Sequence, residues 1–218
     1  MAGSGGSASA TATSAPTCTA QIVAAWGLHL ALLPVTDDRL RTMVTLAGEG
    51  DDAGHEVSFQ EYFVERRHAV AVSAVRFDGA REAVPSEAAL DAIAGAEVLV
   101  VAPSNPLVSI DPVLAVPGVR PAIEARRERN VAVSPIVAGA ALKGPADRLM
   151  VELGHEASVV GIARLYAPLA ASLVIDEADA ALADAVAAEG MVPVVAETIM
   201  RTPEISAALA RTVLGAVG

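Results

Sequence analysis

Cysteine, aromatic residues and basic charge are all scarce in this chain, and each shortage closes off a class of function. A single cysteine, Cys18, leaves no disulfide framework and no cysteine-based metal site. Aromatic residues make up 3% of the 218 residues while hydrophobic residues reach 53%. Most of the latter are alanine, valine and leucine, which suit helices packed closely on a parallel sheet. A net charge of −11 makes the surface a poor match for nucleic acid or an anionic membrane. A nucleotide could still be held locally by backbone N–H groups and one or two cations. No charged residue precedes Asp37, so the basic start of a secretory signal is missing. The apolar run from Ile22 to Val35 is too short to span a bilayer and contains His29 and Pro34. Cytoplasmic residence is the expectation. There is also no Walker A sequence, no G-x-G-x-x-G after a strand, no H-E-x-x-H and no G-x-S-x-G elbow. His29, His55, His68 and His155 share no metal-ligand spacing, and no hydrolase triad can be assembled.

What is present divides into three regions. Residues 1–17 are low-complexity Gly, Ser, Ala and Thr and read as a disordered tail. Residues 18–85 read as a small α+β region. An amphipathic core helix runs from Ala20 to Leu30, strands follow over 40–46, 57–64 and 70–77, and the last two pair as a hairpin or meander. An acidic, Gly-containing turn spans 49–55. Residues 86–218 alternate strands (97–102, 130–134, 172–176, 192–196) with helices (86–94, 112–128, 145–153, 157–167, 178–189, 203–216). Such alternation predicts βαβ units, a Rossmann-like three-layer α/β fold and a mostly parallel sheet.

A parallel sheet carries its ligand beyond the carboxyl ends of its strands. That edge collects Ser104-Asn105-Pro106, Ser134-Pro135-Ile136, Asp176-Glu177 and Glu197-Thr198. Ser104, Asn105 and Ser109 are the first candidates for a ligand contact, with a Pro-bracketed turn capping a helix as the equal alternative. Lys143, in the Gly-containing turn before a helix, could meet a phosphate or be an exposed loop lysine. Asp176 and Glu177 are open in the same way: they could meet the ligand, or Asp176 could simply cap the helix after it. Upstream, Thr36, Asp37 and Asp38 could contact a metal or hydroxyl or form a solvated turn. The aromatic stretch Phe59–Phe63, with Gln60 and Tyr62, could be a stacking wall for a flat ligand or the anchor of a small core.

The run Pro103-Ser104-Asn105-Pro106-Leu107-Val108-Ser109-Ile110 resembles the 2-phospho-L-lactate transferase family of deazaflavin coenzyme (F420) biosynthesis. The resemblance continues through Leu114–Arg120, Val131–Val137, Ala141–Ala146, Tyr166, Val174–Asp179 and Thr198–Met200. Upstream it takes in Leu32–Asp38 and Phe59–Val64, so that it covers the chain from Pro16 onward. It implies a Mg²⁺-dependent transferase, working as a homodimer. Such an enzyme moves a phospholactyl or phosphoenolpyruvyl group from a guanosine diphosphate-linked donor to the hydroxyl of the deazaflavin Fo, and GMP leaves. On that reading Ser104, Asn105, Ser109, Ser134 and Lys143 lie at the donor. Thr36, Asp37, Asp38, Gln60 and Tyr62 then lie toward the acceptor.

The resemblance also shows departures. Family members begin with a Gly-rich strand–loop and an acidic metal-binding stretch, neither of which this chain contains. The expectation is therefore a chain missing the first βα units, with the principal metal carboxylate among them. Asp111 and Ala138 stand where the family usually has Gly, and a side chain limits how closely a phosphate approaches the backbone. Two other readings stay open: a nucleotide-sugar-binding regulator of the same fold superfamily, and an inactive fragment with an unpaired sheet edge.

Overall fold

The structure, a computed structural model, describes residues 15–48 and 53–217. Most of the expected tail and part of the acidic turn lie outside these residues. The tail's expected boundary is too late, because helix α1 (Ala15–Ala25) already begins at Ala15. The helix is also not a core helix. Gly27 takes a left-handed φ of 63° just after its end, so Trp26 and Leu30 lie beyond it and are exposed, as is Ile22, while Val23 is buried.

Strands β1 (Arg41–Leu46), β2 (Glu56–Ser58) and β3 (Val72–Asp78) form an antiparallel sheet in the order β2-β1-β3. The expected pairing of the second and third strands is thus replaced by pairing of both with β1. The expected strand 57–64 is corrected as well: it stops at Ser58 and the chain coils into a helical turn over 59–65. Ser58 Oγ accepts the Glu61 N–H at 3.1 Å and so ends the strand. Phe59, Tyr62 and Phe63 then meet at helical spacing, with ring centroids 6.1 and 5.7 Å from Phe59.

The second half contains a parallel sheet of β4 (Leu99–Val101), β5 (Asn130–Val133), β8 (Ser172–Asp176) and β9 (Val192–Ala196), ordered β4-β5-β8-β9. Between β5 and β8 a hairpin is formed by β6 (Ile136–Val137) and β7 (Ala140–Ala141). Helices α2 (Glu87–Gly95), α5 (Ala146–Glu152), α6 (Val159–Tyr166) and α8 (Pro203–Gly215) fall close to their expected places. The expected helix 112–128 is broken into α3 (Asp111–Leu114) and α4 (Val119–Glu124), because Pro117 and a left-handed Gly118 (φ 84°) interrupt it. The helix expected over 178–189 begins as a 3₁₀ turn, Glu177–Leu182, before α7 (Ala183–Ala188).

The central strands are apolar between their polar end residues because both faces are covered. Val101, Ala132, Leu173 and Ile175 join a large core that also takes in Val44, Leu46, Tyr62 and Val72 of the antiparallel unit. On the other face Val131, Val133 and Val174 pack against Leu209 and Val213 of α8. This is the expected three-layer α/β arrangement. No helix among the described residues is long and apolar enough to cross a membrane.

Polar side chains hold the amino end of this sheet. Buried Asn130 donates through Nδ2 to the carbonyls of Ile123 (2.8 Å) and Leu169 (2.7 Å), and its Oδ1 accepts from Arg126 at 3.2 Å. Arg126 also donates to the carbonyls of Ile93 and Ala96 at the end of α2. Arg127 reaches those of Ala167 and Gly190 after α6 and α7. These cations satisfy orphan carbonyls at the negative ends of three helices.

Candidate functional site

The carboxyl ends of β4, β5 and β9 open onto one cleft of about 440 Å³. Each wall comes from a different strand-end loop. Pro103 and Asn105 follow β4, and Ser134 and Pro135 follow β5. Leu142, Lys143 and Ala146 belong to the turn into α5, and Thr198, Ile199 and Met200 follow β9. The lining is mostly apolar, with one cation and three small polar side chains. That combination suits a ligand with a flat or apolar body and a charged end.

Three of the five donor-side candidates line this cleft: Asn105, Ser134 and Lys143. Asn105 accepts the Leu107 N–H through Oδ1 at 3.0 Å, which caps the helical turn Pro106–Ile110 and leaves its amide NH₂ to donate. Ser134 is buried; its hydroxyl donates to Ile136 C=O at 2.9 Å and accepts Ile136 N–H at 3.1 Å. It closes the loop after β5 rather than offering a free proton. Lys143 is exposed in the turn before α5. Ser104 is half-buried in the β4 loop, its N–H given to Ala102 C=O at 2.7 Å. Ser109 is exposed on the helical turn, and neither serine is part of the cleft lining.

Thr198 and its partner Asp176, both expected on this edge without an assigned ligand contact, complete the site. The Asp176 carboxylate is buried and accepts three hydrogen bonds: Ala178 N–H at 3.0 Å, Thr198 N–H at 2.9 Å and Thr198 O–H at 2.8 Å. Burial pushes its pKa up, but these donors and nearby Arg201 outweigh it and hold the carboxyl below its ordinary range. Because the Thr198 hydroxyl gives its proton to Asp176, Thr198 meets a ligand as an acceptor. The signal in the sequence was the pair Asp176 and Thr198 at the ends of adjacent strands. Asp179, also buried, accepts the Ala138 N–H at 2.9 Å and pins the β6–β7 hairpin beside this cleft.

Asp111, at the start of α3, lies 3.5 Å from Arg120. Burial raises its carboxyl above the ordinary range, against the pull of Arg120 and His155.

The acceptor-side candidates do not gather in one place. Thr36 Oγ1 donates to Val84 C=O at 2.7 Å and accepts from Asp38 N–H at 3.1 Å. The Asp38 carboxylate takes Val84 N–H at 2.7 Å. These two residues therefore staple the segment before β1 to the one before α2, while Asp37 is exposed. Gln60 is exposed at the start of the helical turn. Tyr62 has no exposed surface and its hydroxyl is bonded to Arg148, so it builds the core instead of presenting a ring to a ligand. As for Mg²⁺, no three His, Cys, Asp or Glu side chains stand together among the described residues. Asp176 and Asp179 are occupied by N–H and O–H donors. The described residues do not fit a metal site.

Comparisons with known proteins give the family and the fold. A family model described as 2-phospho-L-lactate transferase CofD matches residues 7–213. The chain is 39% identical over 190 residues to a protein of Kitasatospora aureofaciens named phosphoenolpyruvate transferase, covering 87% of this chain and 59% of that one. It is 32% identical over 190 residues to a Methanocaldococcus jannaschii protein named 2-phospho-L-lactate transferase, again covering 87% and 59%. A crystal structure of a Bacillus halodurans protein aligns with a TM-score of 0.58 at 14% identity, covering 89% of this chain and 65% of that one, and so shares the fold. The chain spans about three fifths of the length of the curated relatives it matches. With the family model running through the antiparallel unit and every strand of the parallel sheet, this chain belongs to the 2-phospho-L-lactate transferase CofD family.

Proposed function

We propose that the cleft at the strand ends holds a guanosine diphosphate-linked donor carrying a three-carbon acid, either lactyl or enolpyruvyl. The protein transfers the phosphorylated acid to the hydroxyl of the deazaflavin Fo. The observation that carries this reading is the cleft itself, where Asn105, Lys143 and Thr198 converge on an otherwise apolar slot beyond the ends of a parallel sheet. The family description and the names of the relatives supply the reaction class.

In the transfer, the acceptor hydroxyl oxygen bonds to the phosphorus that bears the three-carbon acid. The bond from that phosphorus to the bridging oxygen breaks, GMP departs with the electron pair, and the hydroxyl proton goes to solvent. Little covalent work falls to the protein, and its contribution is positioning and charge stabilisation. Lys143 supplies positive charge near the diphosphate. Asp176 holds Thr198 in place, and the Asn105 amide donates to the donor. The described residues do not supply ligands for Mg²⁺. The reading also expects a homodimer in the cytoplasm.

The test is mass detection of the phospholactylated or phosphoenolpyruvylated deazaflavin after incubation of the protein with Fo, Mg²⁺ and the guanylylated donor. Product above the no-enzyme background, lowered about tenfold or more by Lys143→Gln, is the expected result. Absence of product, together with binding of a UDP-sugar, would replace this reading with that of a nucleotide-sugar regulator.

A further inference from the structure

Strand β1 is paired along both edges for most of its length, with one gap. Leu46 exchanges backbone hydrogen bonds with His55 and Gly54 on the β2 side. Strand alternation turns the N–H and C=O of Val44 and Thr42 to that same side. Val44 is answered by Val57, but pairing with β2 ends at Met43 and Ser58, and the chain coils away from Phe59 onward. Thr42 is thus the first residue of β1 beyond this pairing, at the point where the neighbouring chain turns away. That point borders a shallow cleft of about 530 Å³ lined by Arg39, Arg41, Thr42, Ser58, Phe59 and Gln60. It shares no lining residue with the donor cleft.

Arg66, Arg76, Arg120, Arg148 and Arg164 each reach a carboxylate. Neither arginine of this cleft, Arg39 or Arg41, makes a close ion pair among the described residues, although Arg41 attracts the Asp78 carboxylate at longer range. The acid opposite Arg41 on β3, Asp78, is already engaged by Arg76 at 2.6 Å. Ser58 accepts the Glu61 N–H, so its own proton remains to be donated. Two arginines and a serine hydroxyl thus line one cleft, in a chain whose net charge is −11. Guanidinium forks match the paired oxygens of phosphate and carboxylate groups.

We propose that this cleft is a second, anion-binding site, taking a phosphate or carboxylate group through Arg39 and Arg41 with help from Thr42 and Ser58. Inorganic phosphate and acetate, titrated separately into the full chain and followed by ¹H–¹⁵N shifts, test it. Saturable shifts at the Thr42 and Gln60 amides are expected. Arg39→Gln or Arg41→Gln should each weaken them about tenfold, and the double variant should abolish them. Arg129→Gln, at an exposed position elsewhere, and Lys143→Gln, in the donor cleft, should leave them unchanged. Tighter phosphate than acetate identifies a phosphate-bearing ligand, and the reverse a carboxylate. The proposal is overturned if neither anion saturates, if the double variant binds as the parent does, or if only Lys143→Gln removes binding.

Discussion

Asp176 commits its whole carboxylate to Ala178 and Thr198 beside the strand-end cleft, and this sets a measurable pH dependence. Its hydrogen bonds to Thr198 and Ala178 exist only in the folded state, so its folded pKa lies below the ordinary value of 3.8. The folded state therefore binds this proton less readily than the unfolded chain. The stabilisation is fully present above the ordinary carboxylate range and is lost as pH falls through the depressed folded value. Asp176→Asn should lower stability by about 1–3 kcal/mol at neutral pH, and the gap between parent and variant should close in acid. Urea unfolding across pH checks both parts. Tyr166 behaves in the opposite way. Its ring is buried in α6, its hydroxyl has no hydrogen-bond partner among the described residues, and burial pushes the phenol far above its usual range. Removing that oxygen should cost nothing: Tyr166→Phe is expected to match the parent or gain about 1 kcal/mol in the same unfolding experiment. A loss of more than that would mean the hydroxyl has a partner.

At the scale of elements, the β6–β7 hairpin is the piece most at odds with its residues. Its two turn positions, Ala138 and Gly139, both take left-handed conformations, with φ of 50° and 77°. Glycine adopts this readily and alanine does not. Asp179 holds Ala138 there through its N–H. Ala138→Gly should raise stability by about 1 kcal/mol, seen as a higher Tm. If Tm falls instead, the unfolded-state entropy of glycine outweighs the relieved strain. The same scale shows where sequence reading fails. Val57 to Val64 alternates well enough to be taken for a strand, yet Phe59, Tyr62 and Phe63 satisfy a helical spacing equally. The Ser58 cap decides between them, and a capping serine in a short stretch has no distinctive pattern. The break at Pro117-Gly118 was written in the sequence as two helix-stopping residues.

For the molecule as a whole, the parallel half was legible because burial on both faces forces strands such as Val131–Val133 and Leu173–Ile175 to be apolar throughout. Strands of that kind, separated by helices, fixed the edge on which Asn105, Ser134 and Lys143 converge. The roles of individual side chains were less legible. Ser134 and Asn105 hold their own loops, Tyr62 is core, and Thr198 matters through a carboxylate 22 positions away in sequence. Such partnerships depend on which strand ends lie side by side, and no local spacing encodes them. The central claim, that this edge receives the guanosine diphosphate-linked donor, is tested most directly by calorimetric titration of GDP into the protein and into Lys143→Gln. Saturable binding of GDP in preference to UDP, weakened about tenfold by the substitution, is the expected result. Equal binding of both nucleotides, or GDP binding that Lys143→Gln leaves untouched, would contradict it.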